Sequence, residues 1–193
     1  YPQIGFKWKI ADNLNLAYFH GFLNSDLLDS NRADIYDNNF SQRSINITRN
    51  IASHKIEWNL NSKIKLSANE TVIYATRNLD IHYLIPVVPF YPIENYLGDT
   101  DNIQMGCDIS IDIIEDHKLY MGFFMDELTP EWLFKNKNHN WFAWQFGYNA
   151  KNILFNGNLS LEFNWTDQRV YKHKYIVNDF YSHGQPLGFW AGP

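Results

Sequence analysis

The chain has 193 residues, 45% of them hydrophobic, which excludes a disordered polymer and suits one domain. A net charge of −5 excludes a groove that tracks nucleic-acid phosphates, and the single cysteine, Cys107, excludes an internal disulfide and any multi-cysteine metal site. Aromatic residues reach 17% while charged residues fall to 19%, a balance suited to a surface that faces lipid or sugar.

Taken in chain order, the first segment alternates Phe6, Trp8 and Ile10 with Lys7 and Lys9, the period of two of a half-buried strand. Ala11-Asp12-Asn13 turns it into a second strand over 14–23. Residues 24–50 are polar and weakly patterned and read as a long loop. Ile56, Trp58 and Leu60 then alternate with Lys55, Glu57 and Asn59, and Asn61-Ser62-Lys63 leads into a strand over 64–77. A second long connection, 78–101, carries Pro86, Pro89 and Pro92 among rings and branched side chains. The third hairpin sets Ile103, Met105, Cys107, Ile109, Ile111 and Ile113 against Gln104, Asp108, Ser110 and Asp112. It turns at Glu115-Asp116-His117 and returns over 118–128, before a polar stretch with Trp132 and Lys135 to Asn138. The fourth hairpin covers 141–166, turns within 152–157, and opposes Leu159, Leu161, Phe163 and Trp165 to Asn158, Ser160, Glu162 and Asn164. A final loop follows.

The pattern predicts an all-β, antiparallel up-and-down meander of about eight long strands. Alternation alone fits any half-buried sheet, soluble or not. Connection lengths discriminate: turns of roughly three to six residues alternate with loops of roughly a dozen to 27, as in a transmembrane barrel with one short-turn side. Strands of about nine to twelve residues are near the spanning length. Trp8, Phe22, Trp58, Tyr74, Trp141 and Trp165 are candidates for interfacial girdles. No apolar run approaches the roughly 18 residues of a helical span. The first residues lack the layout of a signal peptide, so an exported protein would carry its signal elsewhere. The strand-like start and the Gly192-Pro193 end suggest one β-barrel segment over 1–193, incomplete at both ends.

If the apolar face meets lipid, the opposite face lines a lumen with Lys7, Lys9, Lys55, Glu57, Asp108, Asp112, Asp126 and Glu162. Such charges either fill the barrel as ion pairs and hydrogen bonds or form a polar binding path. Asp108 and Asp126 have no legible separation, the seven His residues show no metal-ligand spacing, and no phosphate loop or nucleophile elbow occurs. No catalytic residue, metal or cofactor is expected. His117 and His139 fall in connections, where solvated His is the default. Residues 82–91 combine rings with polar neighbours, and Tyr83, Phe90 and Tyr91 are candidates for stacking on sugar. The competing reading of that stretch is a plug or lid packed by its own prolines and rings.

Three stretches resemble the capsule assembly protein Wzi family of outer-membrane proteins. They are Ser53-His-Lys-Ile-Glu-Trp58; Glu70-Thr-Val-Ile-Tyr-Ala-Thr-Arg77 continuing through Tyr83 and Pro86 to Gly98-Asp-Thr-Asp-Asn102; and Tyr181-Ser-His-Gly-Gln-Pro-Leu-Gly188, the most specific. With Asp108, Asp126 and Glu162 they span residues 53–188. Lys55 stands where an arginine is usual, and Phe189-Trp190 departs locally. The resemblance implies a larger barrel of about eighteen strands in the bacterial outer membrane, a non-enzymatic lectin that helps hold capsular or other surface polysaccharide on the cell. By the same resemblance Glu70, Arg77, Asp99, Asp101, Asn102, Asp108, Asp126, His183 and Gln185 occupy recurring polar positions, and Glu162 joins them as a ligand-binding candidate. The alternatives are a porin-like channel and a soluble β-rich glycan-active protein.

Overall fold

The computed structural model describes residues 2–33, 37–38, 41–42, 45–126, 141–153 and 156–188. In chain order the strands and helices are β1 (Gln3–Ala11), β2 (Leu14–Leu28), a short helical turn α1 (Ser30–Ala33), the small ribbon β3 (Asp37–Asn38) and β4 (Ser41–Gln42), β5 (Asn46–Asn59), β6 (Ile64–Ala75), α2 (Phe90–Leu97), β7 (Asn102–Ile114), β8 (His117–Asp126), β9 (Trp141–Ile153), β10 (Gly157–Thr166), and a second ribbon, β11 (Tyr181–Ser182) with β12 (Gln185–Pro186). Eight of the strands form one antiparallel sheet in the order β1-β2-β5-β6-β7-β8-β9-β10. The all-β meander is therefore present, and its sheet is open, with β1 and β10 at the two edges.

Turn chemistry closes the short side. Asn61 Oδ1 accepts from the backbone N–H groups of Lys63 (2.8 Å) and Ile64 (2.9 Å), a side-chain turn that reverses β5 into β6. Asp116 takes φ 64° between β7 and β8, a conformation that Asp tolerates better than most residues. Asn152 Nδ2 donates to Asp116 Oδ2 at 2.7 Å and ties this turn to the next.

Two strands run further than the sequence pattern predicts. β2 continues to Leu28 and β5 begins at Asn46, so part of the expected 24–50 loop is ladder. A register shift between Asn24 and Leu28 absorbs the polar residues, with Asp26 at φ 56° and Asn46 Nδ2 donating to Asn24 Oδ1 at 2.9 Å. β6 ends at Ala75, short of Arg77, because Thr76 adopts φ 62°. The 78–101 connection, read as irregular, contains the 3₁₀ turn Ile81–Leu84 and helix α2. The predicted 118–128 strand is present over His117–Asp126, and residues 127 and 128 lie outside the described residues. Trp132 and Lys135 to Asn138 lie outside the described residues.

Register fixes the two faces. One row crosses all eight strands as Lys9, Asn15, Glu57, Ser67, Asp108, Gly122, Gln145 and Asn164. The adjacent row toward the long connections holds Lys7, Ala17, Lys55, Asn69, Gly106, Phe124, Ala143 and Thr166. Asp112, Asp126 and Glu162 have the same parity, so all eight charges assigned to one face share it. The opposite face carries Trp8, Ile56, Trp58, Leu119, Met121, Phe146, Leu161 and Phe163, all exposed.

Among the described residues, both faces are covered only near the long connections. On the apolar face Tyr18, Ala52, Val72, Tyr74 and Ile103 pack under Tyr83, Phe90 and Ile93 of the 78–101 connection. On the polar face Leu23, Ile51 and Ile73 pack under Val170, Tyr171 and Phe180. No described segment covers either side of the end near the short turns.

Candidate functional site

The polar face is built as a ladder. Ser67 Oγ donates to Asp108 Oδ2 at 2.6 Å, and Lys55 Nζ stands 3.5 Å from the same oxygen. Further along, Tyr120 Oη donates to Glu162 Oε2 at 2.5 Å, Asn164 Nδ2 donates to Glu162 Oε1 at 2.8 Å, and Gln145 also bonds Glu162. Three glycines make room for side chains of this face to lie across the neighbouring strands. A Cβ at Gly106 would meet Asn69 Oδ1 at 2.7 Å, one at Gly122 would meet Asp108 Oδ1 at 3.1 Å, and one at Gly147 would fall inside the Tyr120 ring. Gly106 and Gly122 floor a trough that crosses β7 and β8 toward Gln145 of β9.

Segment 167–188 roofs the upper end of this trough. Arg49, buried on β5, fastens it: Nη1 donates to the carbonyls of Val177 (3.2 Å) and Asp179 (2.8 Å), and Nη2 to those of Asn24 (2.6 Å) and Tyr181. Gln104 Nε2 donates to the Val170 carbonyl at 2.6 Å, and Asn102 Nδ2 to the Asn178 carbonyl at 3.0 Å. Burial pushes the His173 imidazole down to about 4, and the Lys174 charge adds to this against the Tyr175 N–H bond and the Asp99 and Asp101 charges. Burial also raises Asp179, in part offset by the His173 N–H bond and by Arg49 and Lys172.

Between roof and sheet lies a cavity of about 560 Å³. Asn69, Thr71, Gln104, Gln145, Asn164 and Asp108 give it amides, a hydroxyl and one carboxylate, and Phe19, Tyr171 and Phe180 give it ring walls. Short donors and acceptors beside aromatic faces suit a hydroxyl-rich ligand whose ring faces carry C–H groups. The size is that of a small-ligand site.

A second polar cluster holds the 78–101 connection against the apolar face. Arg77 meets Asp101 through two parallel bonds, Nη1 to Oδ1 at 2.7 Å and Nη2 to Oδ2 at 2.6 Å, and its Nε donates to Asp80 at 3.1 Å. Tyr83 Oη donates to Asp101 Oδ2 at 2.6 Å, and the guanidinium lies 4.6 Å from the Tyr74 ring centre. Burial works against the Arg77 charge, but the bonds and charges of Asp101 and Asp80 outweigh it and hold Arg77 above its ordinary value. Glu70 projects from the apolar face, where its Oε2 accepts from the Phe90 N–H at 2.6 Å and faces His54 Nε2 at 3.0 Å.

The predicted candidates thus divide among three places. Asp108 and Glu162 lie on the exposed ladder, and buried Asp126 ends β8 on the same face. Glu70, Arg77 and Asp101 hold the 78–101 connection, while buried Asn102 holds the roof. Asp99, at φ 56°, pairs with Lys174 at 2.9 Å between the two covering segments. His183 and Gln185 are exposed in the β11–β12 ribbon, His183 at φ 52° with Nδ1 3.2 Å from Ser182 Oγ. Tyr83 and Phe90 require correction as stacking residues: both are fully buried, packed edge to face on each other, and offer no ring face to a ligand. Tyr91 is half-buried.

Sequence reasoning missed the three glycines, Asn69, Gln145 and Arg49. Gly106, Gly122 and Gly147 all have polar-face parity, a signal the sequence carries once strands are aligned. Among the described residues no group of three His, Cys, Asp or Glu is arranged to hold a metal, and no helix is long and apolar enough to cross a membrane. No family model, curated protein or solved structure matches the chain.

Proposed function

We propose that the chain is a segment of an outer-membrane β-barrel that binds capsular or other surface polysaccharide and assists capsule assembly or attachment. The observation that carries this reading is the division of one sheet into an exposed apolar face and a polar face with a roofed, amide-lined cavity. In water an exposed band containing Trp8, Ile56, Trp58, Met121, Phe146 and Phe163 costs free energy; against lipid it does not. Lipid tolerates no unpaired strand edge, so the edges at β1 and β10 call for further strands that close the barrel. The Wzi-like stretches supply the link to capsule: one runs from β6 into the 78–101 connection, and another forms the β11–β12 ribbon.

A porin-like channel is the second reading, favoured by the charged row on the polar face. The roof over the upper end of that face argues for a binding site ahead of an open pore. Two measurements on the full-length protein separate the readings. Pull-down of the detergent-solubilised protein by purified surface polysaccharide, with no steady conductance in planar bilayers, is expected. Steady ion current without polysaccharide capture would overturn the lectin reading, and extraction of the protein in buffer without detergent would overturn the barrel.

A further inference from the structure

The 78–101 connection lies on the apolar face and itself presents an apolar outer side. Its inner side is fixed by polar bonds: Tyr18 Oη to the Tyr83 carbonyl at 3.0 Å, Asp80 N–H to Tyr74 Oη at 3.1 Å, Glu70 to the start of α2, and Asp101 to Arg77 and Tyr83. These bonds turn Tyr83, Phe90 and Ile93 inward and leave Leu79, Ile81, Leu84, Ile85, Val87 and Tyr96 outward. Ile81 is 69% exposed, Val87 62% and Tyr96 80%. Such a surface on a firmly held segment marks an interaction site.

Charge and position identify the occupant. Residues 78–98 contain no Lys or Arg, and their acidic groups face inward: Asp80 is tied to Arg77 and His82, and Glu94 is buried. Attraction to a charged macromolecule therefore has no anchor here. The row below the His54 and Glu70 row on the same face is Ile56, Ala68 and Cys107, all exposed, so the outer side of the connection continues the bare apolar band. Tyrosines are enriched where a protein surface passes from hydrocarbon to headgroups.

We propose that the outer side of residues 79–97 rests in the membrane interface, as an apolar shoulder that widens the lipid-contacting surface on the long-connection side of the sheet. This inference rests on the barrel reading. Over β5, β6 and β7 the connection then takes the place of bare strand as the surface that lipid touches. Its attachment depends on apolar area, so salt does not weaken it.

The test uses the full-length protein in vesicles of phosphatidylethanolamine and phosphatidylglycerol, in a Cys107→Ser background. A nitroxide is attached to single cysteines replacing Ile81, Val87, Phe163 or Lys63, and its collisions with oxygen and with a water-soluble nickel chelate are compared. Labels at 163, 81 and 87 are expected to meet oxygen severalfold more often than the chelate, and the label at 63 the reverse. Lipid contact at 163 with chelate contact at 81 and 87 would overturn the inference and leave the barrel standing. Exclusion of both agents at 81 and 87 would overturn it in favour of a protein partner. Chelate contact at 163 would overturn the barrel itself. Salt at high concentration is expected to leave the 81 and 87 readings unchanged.

Discussion

Arg77 and Asp101 meet as a planar fork on a carboxylate, and Asp101 is almost wholly buried. Replacing Arg77 with Met leaves that carboxylate without its cation and Tyr83 as its remaining described donor. The expected loss is about 3 kcal/mol, the low end for breaking a buried pair because Arg77 itself is partly exposed. Denaturant titration measures it, and an unchanged midpoint would show the pair to be dispensable. His173 gives the pH dependence. Its folded value, about 4, lies below its ordinary 6.5, so the unfolded chain binds the proton first. Its contribution is fully present above about pH 6.5 and is lost as pH falls toward 4. Asp179 opposes this, since its raised value favours the folded state as acid approaches the carboxylate range. Protection of the 167–188 amides, taken as exchange relative to the intrinsic rate at each pH, is expected to fall from pH 7 to 5, and His173→Phe to flatten that slope; an identical slope in the variant would exclude His173. At this scale the sequence was legible where parity decides. Lys7, Lys9, Lys55, Glu57, Asp108, Asp112, Asp126 and Glu162 share a face because a strand offers only two. Tyr83 and Phe90 were not legible, because a ring in a connection can turn either way and composition does not say which.

The four hairpins follow from alternation and turn residues, and their boundaries fall within a few residues of prediction except where β2 and β5 extend. Helix α2 is the clear miss. Three prolines in 86–92 read as a loop, yet Pro89 sits at the cap position and Pro92 in the first turn, where the missing N–H has no helical partner to lose. Gly98 then ends the helix at φ 106°, its N–H bonding the Glu94 carbonyl. The roof formed by 167–188 was equally hidden, since its fastener, Arg49, lies more than a hundred residues before it. Arg49→Met strips four carbonyls of their donor. Exchange of the Phe180 and Leu187 amides is expected to rise roughly a hundredfold, on the order of 3 kcal/mol, with smaller changes in β8 and β9. Uniform acceleration across the sheet would show that Arg49 supports the whole fold and not the roof alone.

At the scale of the molecule, the described residues sandwich the sheet at one end and leave the other bare, with the 78–101 connection on one face and 167–188 on the other. Asp99 and Lys174 join the two covers at 2.9 Å. The covered end places buried polar groups where covering backbone supplies their partners; the bare end has an apolar side suited to lipid. The short turns therefore gather at the bare end of the sheet and the long connections at the covered end.

Among the described residues, each strand of the sheet pairs only with the sheet strands before and after it in chain order, the β3–β4 ribbon being set aside between β2 and β5, and this has a kinetic consequence. Such a sheet can grow hairpin by hairpin, each step closing no loop longer than one connection. The row from Lys9 to Asn164 is complete only when every ladder between them has found its register. A slip of one residue at any ladder would throw every later strand onto the wrong face and send Gln145 and Asn164 to the apolar side. Errors made early in growth are therefore costlier than late ones, and turns such as the Asn61 reversal between β5 and β6 act as proofreading points for everything added after them.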